Sequence, residues 1–295
     1  MHDIRLAIGL IGFVSAAVFS LTFRLLQPHS KRLLDFYAVG ILALMLAYGY
    51  FVWGQLWIVN WIPLPSVLVL SNWFPPLLAA LAAVVWLKLG SANAARRLFM
   101  MVVILSAAAY SVFHFIPTRP PTCENEWIQP IRPMVWPVCR QTTQSTCSAA
   151  AAATILNTLG IETTEQEMAK LCLTRSGTTW LGLYHGLATK LLGTNFHIEF
   201  FDTNVAELTG MIDSSPILLC CRLEPEVAEM KPQYVEDGGW IPGAAHSVVY
   251  FGLRGDLHVI GDPSRGYERW TTQDLELLWT GTGLRIVLDI AESAR

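Results

Sequence analysis

The sequence predicts a multi-helix transmembrane domain followed by an α+β domain in which helices pack on an antiparallel sheet. Three observations carry that expectation. Charge splits the chain: residues 1–118 hold seven basic and two acidic residues, a net of +5, whereas residues 119–295 hold 13 basic and 21 acidic residues, a net of −8. Four long apolar stretches fall in the first part and lift the mean hydropathy of the whole chain to +0.42. The second part reads as ordinary soluble protein, with an alanine-rich helical pattern over 148–159 and a hairpin pattern over 246–262. The implied organisation is a membrane domain of about four helices over 1–118, a proline-rich linker over 119–137 and a soluble domain over 138–295.

A bilayer core about 30 Å thick takes roughly 20 helical residues to cross. The candidate spans are 6–23, bounded by Arg5 and Arg24; 36–59, interrupted only by Gln55; a stretch within 66–87, best after Pro75-Pro76; and 98–116, which follows Arg96-Arg97. The third is the weakest, carrying Asn72 and two prolines. The first reads as a retained span and not a cleaved signal peptide, because Ser15-Ala16-Ala17 lies inside the apolar run and three more spans follow. Arg24, Lys31 and Arg32 fall at the first connection and Lys88, Arg96 and Arg97 at the third, while 60–66 holds no Lys or Arg. Basic connections face the cytoplasm. Four spans then leave both termini, and with them the soluble domain, on the extracytoplasmic side. Trp57, Trp61 and Trp73 cluster at the uncharged connection, as interface aromatics do. His114, in the fourth span, reads as structural.

Six prolines lie within 117–137, and proline-rich chain is extended, at about 3.1 Å per residue. Cys123 and Cys139 bracket this segment; outside the cytoplasm they are candidates for a disulfide, and otherwise remain thiols. Cys172, Cys220 and Cys221 read as core. An acidic soluble half without a basic stripe excludes nucleic acid as a partner. No Cys/His spacing points to zinc, and no cofactor is implied. The phosphate-loop pattern GxxxxGK[ST] is absent, so this chain is not itself an ATP-driven exporter.

The chemistry starts at Cys147, which opens the helical pattern that Gly160 closes as a C-terminal cap. At a helix N-terminus the dipole and unpaired N–H groups favour the thiolate, although a lone cysteine is more often a small core residue. Gln141, six residues upstream on the segment that turns into the helix, can aim an amide N–H at an oxyanion forming beside the Cys147 backbone N–H. Gln144 is the competing donor. The base must come from further along. His185 and His197 lack an acid in an orienting position, whereas His246 opens the strand pattern 246–253. A three-residue loop over 253–255 puts Gly255 in the left-handed position. It sets Tyr250 opposite His258, Val248 opposite Ile260 and His246 opposite Asp262. Directly opposed residues share a face with Cβ atoms about 4.5–5.5 Å apart, so Asp262 can hold the imidazole toward the thiol. His258 lies four residues along that face, roughly 13 Å away, and reads as a core or surface histidine. Glu165 and Glu167 stand near the start of a helix over 163–170, as the dipole favours.

Taken in order, these residues resemble the bacteriocin-processing (double-glycine leader) peptidases, which are papain-like. The matching positions are Gln141, Cys147, Ser148-Ala149-Ala150, His246-Ser247-Val248-Val249 and Asp262-Pro263, and Trp279-Thr280-Gly281 is similar to the family's closing segment. The resemblance covers about residues 138–290. It implies a papain-like cysteine peptidase domain with Cys147 as nucleophile, His246 as general base, Asp262 orienting it and Gln141 donating to the oxyanion. A peptide or protein substrate, cut at a double-glycine-type leader, and a separate ATP-driven exporter are the partners it implies; the apolar half adds the lipid bilayer. The chain departs from the family at Thr146-Cys147-Ser148, where Asp-Cys-Gly is usual, in an insertion over 224–243, and in placing its membrane part first. Two other readings stay open: a catalytically silent peptide-binding domain, and a membrane partner of an exporter.

Overall fold

Among the described residues, four helical segments are long and apolar enough to cross a membrane: His2–Leu26, Lys31–Phe51, Val67–Leu89 and Ala94–Phe113. The structure, a computed structural model, describes residues 2–90, 93–113, 115–116, 119–129, 136–211, 215–236 and 239–289. The chain separates into two units, Met1–Pro117 and Thr118–Arg295.

In the first unit, α1 (His2–Leu26), α2 (Lys31–Phe51) and α5 (Ala94–Phe113) pack around α4 (Phe74–Leu89), which a single helical turn, α3 (Val67–Leu70), precedes. The α3–α4 span is the hub, 67% buried where the other three are 6–11% buried. That burial accounts for its unusual sequence. Pro75 and Pro76 stand in the first turn of α4, where a helix has no use for their missing N–H groups. Asn72 is buried; its amide donates to the Ser111 carbonyl at 2.9 Å, and its oxygen accepts the Phe74 N–H at 3.3 Å. Tyr48 donates to the Ser71 carbonyl and accepts the Trp73 N–H. The break between α3 and α4 therefore keeps these polar groups paired, as buried backbone and side-chain groups require. The second span departs from expectation: its helix stops at Phe51, the chain turns at Gly54, and residues Leu56–Asn60 form a 3-10 helix. Gln55 thus lies outside α2. His114 and residues 130–135 of the linker lie outside the described residues.

The second unit is built on a six-stranded antiparallel sheet. In spatial order its strands are β3 (Phe196–Asp202), β8 (Trp279–Leu288), β4 (Ile217–Arg222), β5 (Ala245–Arg254), β6 (Leu257–Asp262) and β7 (Gly266–Trp270). The short strands β1 (Trp127–Ile128) and β2 (Val138–Cys139) pair separately, bringing the middle of the linker segment beside the residues that follow it. Side chains alternate across the sheet with a period of two. Leu218, Val249, Leu284 and Ile286 pack against α6 (Cys147–Thr158), α7 (Glu165–Leu171) and α8 (Trp180–Leu191). On the other face, Ile217, Leu219, Val248, Tyr250 and Ile260 pack with α9 (Val205–Gly210), α10 (Pro225–Met230), α11 (Gln233–Glu236) and α12 (Thr272–Leu278). The first ten residues of α6 are all buried. Its run of alanines follows from that, since a helix enclosed on every side lies close to its neighbours only if its side chains are small. Thr164, Thr179 and Thr271 cap α7, α8 and α12 through their side-chain oxygens.

The β5–β6 hairpin corrects the register inferred from sequence. The turn is two residues, Gly255-Asp256, with Arg254 opposite Leu257; Gly255 keeps its positive φ of +62°. A bulge at Phe251 then shifts the ladder, leaving Tyr250 opposite Ile260 and Val249 opposite Gly261. The two changes sum to an even displacement. Continued along the strands, the ladder sets Asp262 opposite Val248, so His246 and Asp262 share a face one diagonal step apart.

Candidate active site

Cys147 is the first residue of α6, and the turn before it is locked by its own threonines. Thr146 Oγ1 accepts the Thr143 N–H at 3.0 Å and donates to the Thr143 carbonyl at 2.9 Å. His246, the second residue of β5, is 7% exposed, and its Nε2 donates to Asp262 Oδ1 at 2.8 Å. That bond commits Nε2 as the N–H side and leaves Nδ1 as the ring nitrogen available to the Cys147 thiol, which acts on the imidazole through hydrogen bonding and charge. Asp262 is fully buried and accepts three further bonds. The Trp240 indole N–H reaches Oδ2 at 2.8 Å, while the Ser264 N–H and hydroxyl reach Oδ1 at 2.7 and 2.8 Å. The structure therefore brings together Cys147, His246 and Asp262, which the sequence singled out from three distant stretches.

The electrostatics follow from this packing. Burial pushes the Cys147 thiol up, but the hydrogen bond and charge of His246, the Ser247 backbone N–H and the Ser148 hydroxyl outweigh it, and the thiol ends below its ordinary value. Burial pushes His246 down, but the charge and hydrogen bond of Asp262, then Cys147, raise it to about 10. Asp262 is held below the carboxylate range despite burial, by His246 and Ser264. The other five cysteines all move the opposite way, with burial as the leading cause. Among the six thiols, only Cys147 sits where the thiolate is favoured.

Gln141 is fixed from two sides. Its backbone N–H donates to the Pro263 carbonyl at 2.9 Å, tying it to the turn that carries Asp262. The next residue, Thr142, donates its N–H and hydroxyl to the Glu165 carboxylate, both at 2.7 Å. The Gln141 amide oxygen is buried without a hydrogen-bond partner among the described residues. Gln141 also lines an open cavity with Glu124, Glu126, Arg140 and Thr142.

Several sequence-level expectations change. Glu165 does stand in the first turn of α7, as expected, but it is also fully buried and clasps the Gln141 loop. Cys123 and Cys139 are buried free thiols, and no bridge joins them. Both lie near Glu165, and burial together with its charge raises each to about 12. His258 is buried, with its ring nitrogens on the Tyr250 hydroxyl at 3.1 Å and Thr272 Oγ1 at 3.3 Å. His185 is buried in α8 with Nδ1 on the Leu171 carbonyl at 2.7 Å, and His197 sits on β3 between Glu199 and Asp289. Trp240 is the site residue that sequence reasoning missed. It comes from the insertion before His246, and its ring lies 4.3 Å from the imidazole, centroid to centroid. The available signal was a tryptophan, an apolar plate with one N–H donor, in an otherwise polar stretch close to His246.

The family model described as Peptidase_C39 like matches residues 135–285, about half of the chain. The chain belongs to this family. Gln141, Cys147, His246 and Asp262 all fall inside the matched segment of the Peptidase_C39 like sequence. Among solved structures, the chain is similar to the peptidase domain of Streptococcus ComA, a bi-functional ABC transporter involved in a quorum sensing pathway. The identity is 20%, 50% of this chain and 96% of that one are covered, and the TM-score is 0.39. It is also similar to a double glycine motif protease from an AMS/PCAT transporter in complex with the leader peptide, at 18% identity, coverage of 54% and 97%, and a TM-score of 0.40. No curated protein matches the chain.

Proposed function

We propose that the chain is a membrane-anchored cysteine peptidase in which Cys147 is the nucleophile, His246 the general base, Asp262 its orienting acid and Gln141 the oxyanion donor. The observation that carries the reading is His246 held between a buried carboxylate and a buried thiol at the mouth of α6. Cys147 is lowered and His246 raised to about 10, and both shifts favour the thiolate–imidazolium form of the pair over the neutral one.

The thiolate attacks the carbonyl carbon of a peptide bond, and the carbonyl electrons move onto oxygen. The Gln141 side-chain amide and the Cys147 backbone N–H donate to that oxyanion. His246 Nδ1 gives its proton to the leaving amine as the C–N bond breaks, leaving a thioester on Cys147. The neutral imidazole then takes a proton from water, the hydroxide attacks the thioester, and the acid product leaves. Asp262 keeps Nδ1 toward the sulfur throughout.

On the motif order, the substrate is a peptide or protein cut at a double-glycine-type leader, delivered with a separate ATP-driven exporter. Residues 1–118 form the membrane domain and 138–295 the peptidase domain. The basic connections at Lys31-Arg32 and Arg96-Arg97 support an extracytoplasmic peptidase domain.

The test uses the full chain in detergent, alkylated with iodoacetamide as a function of pH and mapped to Cys147. Wild type is expected to label below the pH at which an ordinary thiol ionises, with reactivity changing again as His246 deprotonates near 10. His246→Ala should return labelling to ordinary thiol behaviour. Equal profiles in both would remove the ion pair. A lowered thiol that turns over no peptide would favour a silent binding domain.

A further inference from the structure

Each reacting side chain is followed at once by a serine: Cys147-Ser148 and His246-Ser247. Though 99 positions apart, Ser148 Oγ and Ser247 Oγ are 2.8 Å from each other, and both residues are buried. Strand alternation brings them together. His246 shares the face of Val248 and Tyr250, so Ser247 shares the face of Val249, against which α6 packs. Ser148 Oγ also lies 4.0 Å from Cys147 Sγ.

We infer that the Ser148 and Ser247 hydroxyls form a bridge between the start of α6 and β5 that positions the Cys147 sulfur against His246. They act as positioning residues for the proposed reaction, and the inference rests on that cysteine-peptidase reading. Hydrogen bookkeeping supports a direction. Two hydroxyls supply two hydrogens, and the contact between them uses one. With Ser247 donating to the Ser148 oxygen, the Ser148 hydrogen is left for the sulfur. The Ser247 backbone N–H also acts on this sulfur, favouring its ionised form. The thiolate then receives one donor from its own helix and one from the strand that carries its base. A bridge of this kind couples the separation of the two reacting atoms to the separation of two secondary-structure elements. It also gives a physical role to Ser148, where the family usually has glycine.

The experiment measures Cys147 alkylation by iodoacetamide against pH in the full chain, for wild type, Ser148→Ala, Ser247→Ala and the double variant. Thermal unfolding of each is followed in parallel. Each alanine removes one oxygen and adds no atom. Each single variant is expected to slow the acidic limb roughly threefold to tenfold, the effect of one hydrogen bond of ordinary net strength. That moves the limb upward by about half to one pH unit. The double variant should be no worse than either single one, because the two hydroxyls act as a unit. A wild-type pH profile in the single variants, whatever their melting temperatures, would overturn the inference and leave a merely structural pair. A double variant showing the product of two independent losses would overturn the bridge as well. An ordinary thiol profile in wild type would be a different failure, since it removes the peptidase reading itself and this inference with it.

Discussion

Replacing Trp240 with phenylalanine isolates one N–H at the centre of the site. The six-membered ring remains over the imidazole, which the native indole approaches to 4.3 Å, and the donor to Asp262 Oδ2 at 2.8 Å is removed. Asp262 is fully buried and, among the described residues, accepts four bonds, of which this one alone reaches Oδ2. A hydrogen bond to a buried charge is worth about 1.5–3 kcal/mol, and its loss weakens the preference of Asp262 for the ionised form. For a domain of this size, the melting temperature should fall by roughly 3–12 °C. The sign with pH is fixed. Asp262 is depressed in the folded state, so the stability it contributes is present above its unfolded pKa and is lost as pH falls through the folded one. The difference between variant and wild type should therefore be full at neutral pH and shrink on acidification. Since His246 and Ser264 still hold Oδ1, Cys147 alkylation on the acidic side should drop about tenfold, the low end of what this energy allows. The assay pairs thermal unfolding at several pH values with iodoacetamide kinetics mapped to Cys147. Wild-type melting together with wild-type kinetics in Trp240→Phe would refute the claim that this N–H secures the carboxylate.

Gln141→Ala removes the proposed oxyanion donor but touches neither Cys147 nor His246; turnover of a peptide substrate should fall about 10²–10³-fold, while alkylation of Cys147 stays at the wild-type rate. Glu165→Gln turns two charge-assisted bonds to Thr142 into neutral ones. It should cost about 1–2 kcal/mol in thermal or denaturant unfolding, and lower turnover more than alkylation because it loosens the loop that carries Gln141. Gly186→Ala places a Cβ 2.4 Å from Cys172 Sγ, where α8 meets the end of α7. The expected loss is about 1–3 kcal/mol, read as a lower unfolding midpoint with an unchanged alkylation profile.

How much of this was legible beforehand differs from element to element. The helix that opens at Cys147 and the strand that opens at His246 both have strong local patterns, and they are found where those patterns lie. The hairpin between His246 and Asp262 was read with the wrong turn and without the bulge at Phe251, yet the pair still meets. The reason is parity: an even displacement returns every side chain to its own side of the sheet. Trp240, Glu165 and Ser247 are different. Each acts across at least 15 residues or between elements with no shared periodicity, so composition and spacing carry no trace of their partners. Glu165 looked like a helix-start acid because the local rule was satisfied; that its carboxylate also meets Thr142 depends on where α7 packs. In the apolar half, 36–59 read as one span, since hydropathy does not register the turn at Gly54.

The central position of α4 sets different rules for the helices around it. Leu46 on α2 and Leu105 on α5 point outward, 77% and 67% exposed, so exchanging either for another apolar residue disturbs no protein neighbour. Ala83 and Val84 on α4 have no exposed surface at all. A larger side chain at Ala83 would have to push a neighbouring helix aside, and a smaller one at Val84 would leave a void. Sequence drift among the apolar helices is thus cheap on the rim and constrained on the axle, even where the amino-acid types are the same.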